Sequence, residues 1–220
     1  MRPGKQLLAD ALTLNEVPIG WAIDWQLEDW DVPAGAWSFA GTYIEAARRI
    51  AEAGGRSVQP HDTDETLRIL PYYPVAPWEW SGEAADIVLP EDACETDGIE
   101  WLDKAPYEEV WVVGGENGRR DQIRRAGTAG DLAAPTLVDP LASDPVMARQ
   151  RGLRVLGDTG RQAIISVRLS VLAETGIIRP GLLVDYTEGA ITRRGLTRAV
   201  SLQQAYPEVW QSIAIEAHED

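Results

Sequence analysis

Between Arg161 and Leu172 the chain alternates strictly. Ala163, Ile165, Val167, Leu169 and Val171 fall on one side, and Ile164, Ser166, Arg168 and Ser170 on the other. Successive side chains of a strand point to opposite faces, so this stretch reads as a long strand with one buried face. Thr175-Gly176 breaks it. Pro180-Gly181 has the composition of a type II turn, with proline setting φ at the first central place and glycine accepting positive φ at the second. Leu182 to Tyr186 is the next strand, Glu188-Gly189 turns the chain, and Ile191 to Leu202 returns with Gly195 read as a bulge. Ala205-Tyr206-Pro207 interrupts, and Val209 to Ala217 alternates again. His218-Glu219-Asp220 reads as a loose tail.

Upstream the period changes to that of a helix. Ile44, Ala47, Ile50 and Ala51 form an apolar stripe, with Glu45, Arg48, Arg49 and Glu52 largely off it. Thr42 and Glu45 have capping-box spacing, and Gly54-Gly55 supplies the stop. Arg56 to Gln59 and Thr66 to Leu70 then read as two strands around the polar turn Pro60 to Asp64, with Pro71 closing the second. Before this module lies a short helix, Lys5 to Leu14, with Leu7, Leu8, Ala11 and Leu12 on one face, ended by Asn15 and Pro18. A strand is expected over Gly20 to Trp25 and a loop over Asp29 to Gly35.

After Pro71 to Pro77, a stiff proline-rich connector, comes a short strand at Asp86 to Leu89. Glu91 to Asp97 is acidic and reads as loop. Tyr107 to Val113 and Asp121 to Ala126 form a hairpin around the Asn117-Gly118 turn, followed by a long loop from Gly127 to Asp139. Asp144 and Pro145 start a second helix as N-cap and first helical residue, with Val146, Leu153 and Leu156 spaced along it. Gly152 in its middle costs intrinsic stability and reads either as a point of close approach or as a residue that is simply tolerated. These elements divide the chain into residues 1–37 (N-terminal helix and tryptophan-rich arm), 38–80 (small α/β module), 81–105 (connector) and 106–217 (β domain). The expected class is α+β, mainly β. Closely spaced strands with tight turns favour an antiparallel barrel or sandwich with one inserted helix over a parallel sheet.

Charge narrows the function. With 35 acidic and 20 basic residues the net charge is −15, which argues against tight nucleic-acid binding and suits at most transient contact with DNA. One cysteine, Cys94, excludes an intramolecular disulfide and a cysteine-rich metal site. No apolar run reaches the roughly 20 residues that span a membrane, and the N-terminus is too polar for a secretory signal.

Candidate chemistry is thin. His61 with Asp62, Asp64 and Glu65 lacks the glycine and ligand spacing of a calcium loop and reads as a solvated turn. Gly114 to Gly118 lacks the lysine that a phosphate loop requires. No serine sits in a nucleophile elbow. Glu79 and Glu83 resemble a glycosidase pair only as any two acids do. Cys94 stands among acids, which disfavours its thiolate. No catalytic residue, cofactor or metal is expected. Nine tryptophans against one phenylalanine are the compositional anomaly. Trp21, Trp25, Trp30, Trp37, Trp78 and Trp80 read either as core or as contact surface for a partner, because an indole carries large apolar area with one donor.

Two segments resemble a known family. The helix "EAARRIAEAGG" with its hairpin and the exit "TLRILPYYPVAPWEW" is similar to the small α/β module of phage tail baseplate hub proteins. "GENGRRDQIRRAGTAGD", "DPVMARQRGLRVLGDTGR" and "GIIRPGLLVDYTEGAITRRGLTRAVSL" resemble the tube-like β domain of the same proteins. The resemblance implies a virion protein of the tail tip, made in the bacterial cytoplasm, that joins the tail tube to the tip and lines the DNA exit channel. It implies a homotrimer or threefold complex with other tail proteins: a second hub chain, a distal tail or tube protein, a spike or fibre. Many hubs carry two tube-like domains per subunit, whereas this chain shows one, so a second protein or a split hub would supply the other. The alternatives are a carbohydrate-binding module that stacks sugars on Trp21, Trp25, Trp30, Trp78 or Trp80, and a cell-wall hydrolase.

Overall fold

The computed structural model describes residues 1–13, 17–89, 91–115 and 119–219. In chain order the elements are β1 (Arg2–Pro3), α1 (Gly4–Ala11), β2 (Ala22–Trp25), β3 (Asp31–Val32), α2 (Tyr43–Ala53), β4 (Arg56–Pro60), β5 (Thr66–Pro71), β6 (Ile87–Leu89), β7 (Cys94–Asp103), β8 (Glu109–Val113), β9 (Arg120–Arg124), β10 (Leu137–Val138), α3 (Pro145–Gly157), β11 (Arg161–Ser170), β12 (Leu183–Glu188), β13 (Ile191–Ala205) and β14 (Glu208–Glu219). The fold is α+β and mainly strand. The expected ends of the first helix at Leu14 and Asn15, the Asn117-Gly118 turn and Asp220 lie outside the described residues.

The chain forms two compact units that interleave. Met1–Pro74 joins Tyr107–Asp158 in the first, and Val75–Pro106 joins Thr159–Asp220 in the second. This division differs from the four consecutive segments read from sequence, because the hairpin β8–β9 and α3 belong with the N-terminal part.

In the first unit, β2 pairs in parallel with β5, and β5 pairs antiparallel with β4. β10, β8 and β9 form a second three-stranded sheet, and β1 pairs with β3 inside the stretch expected to be loop. Helix α2 forms as the sequence predicts. The Thr42 hydroxyl accepts from the Glu45 N–H, and the Glu45 carboxylate accepts from the Thr42 N–H. Two otherwise orphan donors are thereby satisfied, so Thr42→Ala is expected to cost about 1 kcal/mol, read as a lower urea midpoint. Gly54 caps the helix, and Gly55 turns the chain out at φ +69°, a conformation that L side chains rarely adopt. The buried face is Ala46, Ala47, Ile50, Ala51 and Ala53; Ile44 of the expected stripe is 49% exposed. Helix α3 starts on the Asp144 side chain and Pro145 as expected. It buries Met147, Ala148, Gly152 and Leu156 rather than Val146 and Leu153. A Cβ on Gly152 would stand 2.6–2.7 Å from three atoms of Ile123, so the glycine allows α3 to lie close on β9.

The second unit is one six-stranded sheet in the order β6-β12-β13-β14-β11-β7. All neighbours are antiparallel except β6 and β12. Two expectations are corrected here. Glu91 to Asp97 is not all loop, because Cys94 opens a ten-residue edge strand. The tail is not loose, because His218 and Glu219 pair with Gln162 and Arg161. Thus residues 81–105, read as a connector, supply both edges of the sheet. The alternation on β11 holds: Ala163, Ile165, Val167 and Leu169 are fully buried. They pack with Ile213, Ile215, Val184, Tyr186, Leu89 and Ile178, while Ile99 and Cys94 are partly buried against the cluster.

The sheet must curl. Laid flat, six strands at about 4.8 Å spacing put the outer two about 24 Å apart. The steps from Leu89 to Cys94 reach at most about 18 Å. The Tyr186 hydroxyl on β12 accordingly meets the Thr96 hydroxyl on β7, though three strands lie between them in the sheet. The expected bulge at Gly195 is absent. Gly195 pairs in register with Val184 and Ala217, and the shift in the β13–β14 ladder falls between Thr197 and Ala199.

Candidate functional site

The titratable candidates are dispersed. No group of three or more His, Cys, Asp and Glu side chains that would hold a metal occurs among the described residues. His61 accepts from the Thr63 and Asp64 backbone in its own turn. Burial pushes the Cys94 thiol up, which further disfavours the thiolate. Glu79 is exposed, while the Glu83 carbonyl accepts from Arg194. That contact belongs to a clamp. Arg194 grips the Asp185 carboxylate through Nε and Nη2 at 2.7 and 2.8 Å and donates from Nη1 to the carbonyls of Trp80 and Glu83. It holds the turn Pro77–Gly82 against β12 and β13. The hydrogen bonds from Arg194 hold the Asp185 carboxyl below its ordinary value. A carboxyl lowered on folding contributes stability above its unfolded value and loses it as pH falls through its folded value. Asp185→Asn is therefore expected to flatten the acid limb of the melting temperature against pH.

The tryptophans divide by environment. Trp30 and Trp80 are buried at 3% and 4% exposure, so these two expected contact residues are core. Trp80 donates its indole N–H to the Val75 carbonyl at 3.0 Å. Trp25 lies beside Trp30, with ring centroids 5.7 Å apart. Trp78 is half-buried. Trp37 is half-buried and stacks on Phe39 at 5.7 Å and 10°. Only Trp21 of the six is exposed.

Arginine accounts for much of the rest. Arg56, 1% exposed, lies 4.4 Å from the Trp25 ring and 5.0 Å from that of Trp30. Arg120 covers Trp111, Arg161 covers Trp101 and Arg168 covers Trp210, at 4.4, 4.8 and 4.7 Å. Each of these three pairs is a diagonal between adjacent antiparallel strands. Trp111 faces Gln122, Trp101 faces Ala163 and Trp210 faces Ser170, with the arginine two residues along. Long side chains reach that diagonal, and a cation over a ring face is favourable. A ring face covered by guanidinium is not open to a sugar. Sequence reasoning missed this because it counted tryptophans without strand register.

Among the described residues, several surfaces remain open. A groove of about 490 Å³ is lined by Trp21, Ile44, Val58, Leu67, Arg48 and Arg154, among others. A second, of about 330 Å³, lies between Leu7, Trp37, Phe39 and Tyr43, with the Arg2–Asp10 ion pair at its rim. The β13–β14 hairpin carries exposed Leu202, Tyr206 and Val209 beyond the last β12 pairing at Leu196. Grouped exposed apolar side chains of this kind are candidate contact surfaces.

No family model and no curated protein matches the sequence. Solved structures do. The tail protein from Neisseria meningitidis MC58 is similar with a TM-score of 0.52 at 15% identity, over 99% of this chain and 65% of that one. The prophage MuSo2 43 kDa tail protein from Shewanella oneidensis is similar with a TM-score of 0.49 at 13% identity, over 95% of this chain and 63% of that one. A chain of the native gene transfer agent virion follows at 0.40 and 14%, over 80% and 40%. At these identities the likeness is one of fold, and this chain spans less than two thirds of the length of the tail proteins it matches.

Proposed function

We propose that the chain is a structural component of a phage tail baseplate hub that joins the end of the tail tube to the tail tip and borders the DNA exit channel. The observation that carries this reading is the fold likeness to the Neisseria tail protein over nearly the whole chain. The open grooves and the projecting hairpin support it, since a ring component needs surfaces for its neighbours. A net charge of −15 fits a wall that DNA passes without sticking. The partners are other tail proteins, in a threefold assembly at the tail tip, and the reading assigns no reaction to the chain.

The test is native mass, measured on the purified protein alone and mixed with proteins encoded beside it. A species at three times the chain mass of 24.1 kDa, or a complex of threefold stoichiometry, is the expected result. A monomer that ignores every neighbour overturns it. The carbohydrate-binding alternative now rests on the groove at Trp37, Phe39 and Tyr43, where an aromatic wall meets a charged pair. Quenching of tryptophan emission by cell-surface glycans, lost in Trp37→Ala, would favour it.

A further inference from the structure

Ile44 belongs to the apolar stripe of α2 by sequence, yet the chain leaves it 49% exposed beside Trp21, itself 39% exposed. The two line the same groove, with Val58 on β4 and Leu67 on β5. Arg48, Arg56 and Arg154 also line that groove, together with Glu52. Arg48 is exposed, and Arg154 stacks over Tyr72 at 4.4 Å and donates to the Arg56 carbonyl. Neither has a carboxylate ion pair among the described residues. The groove's charged lining is three arginines against one glutamate, and in so acidic a chain an apolar groove with that positive balance calls for an acidic occupant that also carries an apolar group.

The chain presents such a segment. β7 is an edge strand of the six-stranded sheet. Its inward residues are fixed by pairing: Trp101 with Ala163, Ile99 with Ile165 and Thr96 with Val167. Glu95 and Glu100 therefore lie on the opposite face with half-buried Leu102, and Asp97 sits at the register shift. All three acids are exposed, and none has an ion pair among the described residues. Direct strand addition to β4 is disfavoured. Its outward backbone groups belong to Arg56, Val58 and Pro60; the Arg56 carbonyl is taken and Pro60 has no N–H. Recognition therefore runs through side chains.

We propose that the Trp21–Ile44–Arg48–Arg154 groove receives the acidic β7 edge of a second copy of this chain. Glu95 and Glu100 pair with Arg48 and Arg154, and Leu102 covers the apolar floor. Such a contact is head-to-tail, so repetition closes a ring or extends a filament. It rests on the assembly reading above and names the surfaces within it.

The test is a charge swap read by sedimentation of the full chain over a concentration series. Arg48→Glu with Arg154→Glu, and separately Glu95→Arg with Glu100→Arg, should each weaken self-association by at least about tenfold. Mixing the two variants should restore association, since each supplies the charges the other lacks. Circular dichroism checks that Arg154→Glu leaves the fold intact, and Arg48→Glu alone serves if it does not. Self-association that ignores both swaps, a pair of variants that fails to recover on mixing, or a wild-type chain that stays monomeric overturns the proposal. A chain whose groove variants self-associate normally and still join neighbouring tail proteins loses this contact while keeping its place in the tail.

Discussion

Arg56→Ala is expected to destabilise the first unit by about 3–5 kcal/mol, measured as the shift in urea midpoint. The side chain is 1% exposed, so alanine opens a cavity where a guanidinium packed beside two indoles. It also removes the donors that reach the Glu28 carbonyl and the Gln150 side chain, which accepts from Nε at 3.2 Å and from Nη2 at 2.6 Å. The oxygen of half-buried Gln150, on α3, is then left without these two partners. Burial lowers the Arg56 pKa to about 10, with Asp29 acting the other way. The group stays charged at neutral pH, so the loss should be flat across the neutral range. Because a lowered basic pKa means that the folded state gives up its proton first, any pH dependence from this group is a gain of stability above about pH 10. Arg56→Met keeps much of the volume and removes the buried charge, so it should cost clearly less than alanine. A loss below about 1 kcal/mol for alanine would show that the indoles close over the gap.

Gly195→Val should cost the second unit about 3 kcal/mol or more. Here the glycine serves close approach. A Cβ would stand 2.6 Å from the Glu216 carbonyl oxygen and 2.6 Å from Cγ2 of Ile215. The carbonyl is part of the β14 backbone and cannot move without disturbing the ladder that β14 makes with both β13 and β11. Overpacking at the centre of a sheet is therefore relieved only by breaking pairs. Gly98, with open space at its Cβ on the edge strand β7, is the control: Gly98→Val should cost much less.

What the sequence made legible was local. The Thr42–Glu45 box, the Asp144-Pro145 start, the alternation from Ala163 to Leu169 and the Pro180-Gly181 turn each depend on neighbours within a few residues, and each stands where expected. What stayed hidden depends on partners far along the chain. β7 has an acidic outward face because it is an edge, and an edge strand lacks the apolar run by which a central strand is recognised. Arg56 looks like any charged residue after a glycine pair until Trp25 and Trp30 pack against it. The surface was hidden for the same reason: the stripe of α2 says that Ile44 wants cover and nothing about who provides it.

The interleaving of the two units sets an order on the making of the protein. β6 and β7 are synthesised before Pro106, and every strand they pair with comes after Asp158. At about 5–20 residues per second a ribosome takes several seconds to cross that interval. Through those seconds a ten-residue strand waits with neither edge paired, beside other nascent chains that carry the same strand. Glu95, Asp97 and Glu100 place like charges along it, and like charges keep waiting copies apart. The acids that obscure β7 in the sequence thus also protect it before its own partners exist.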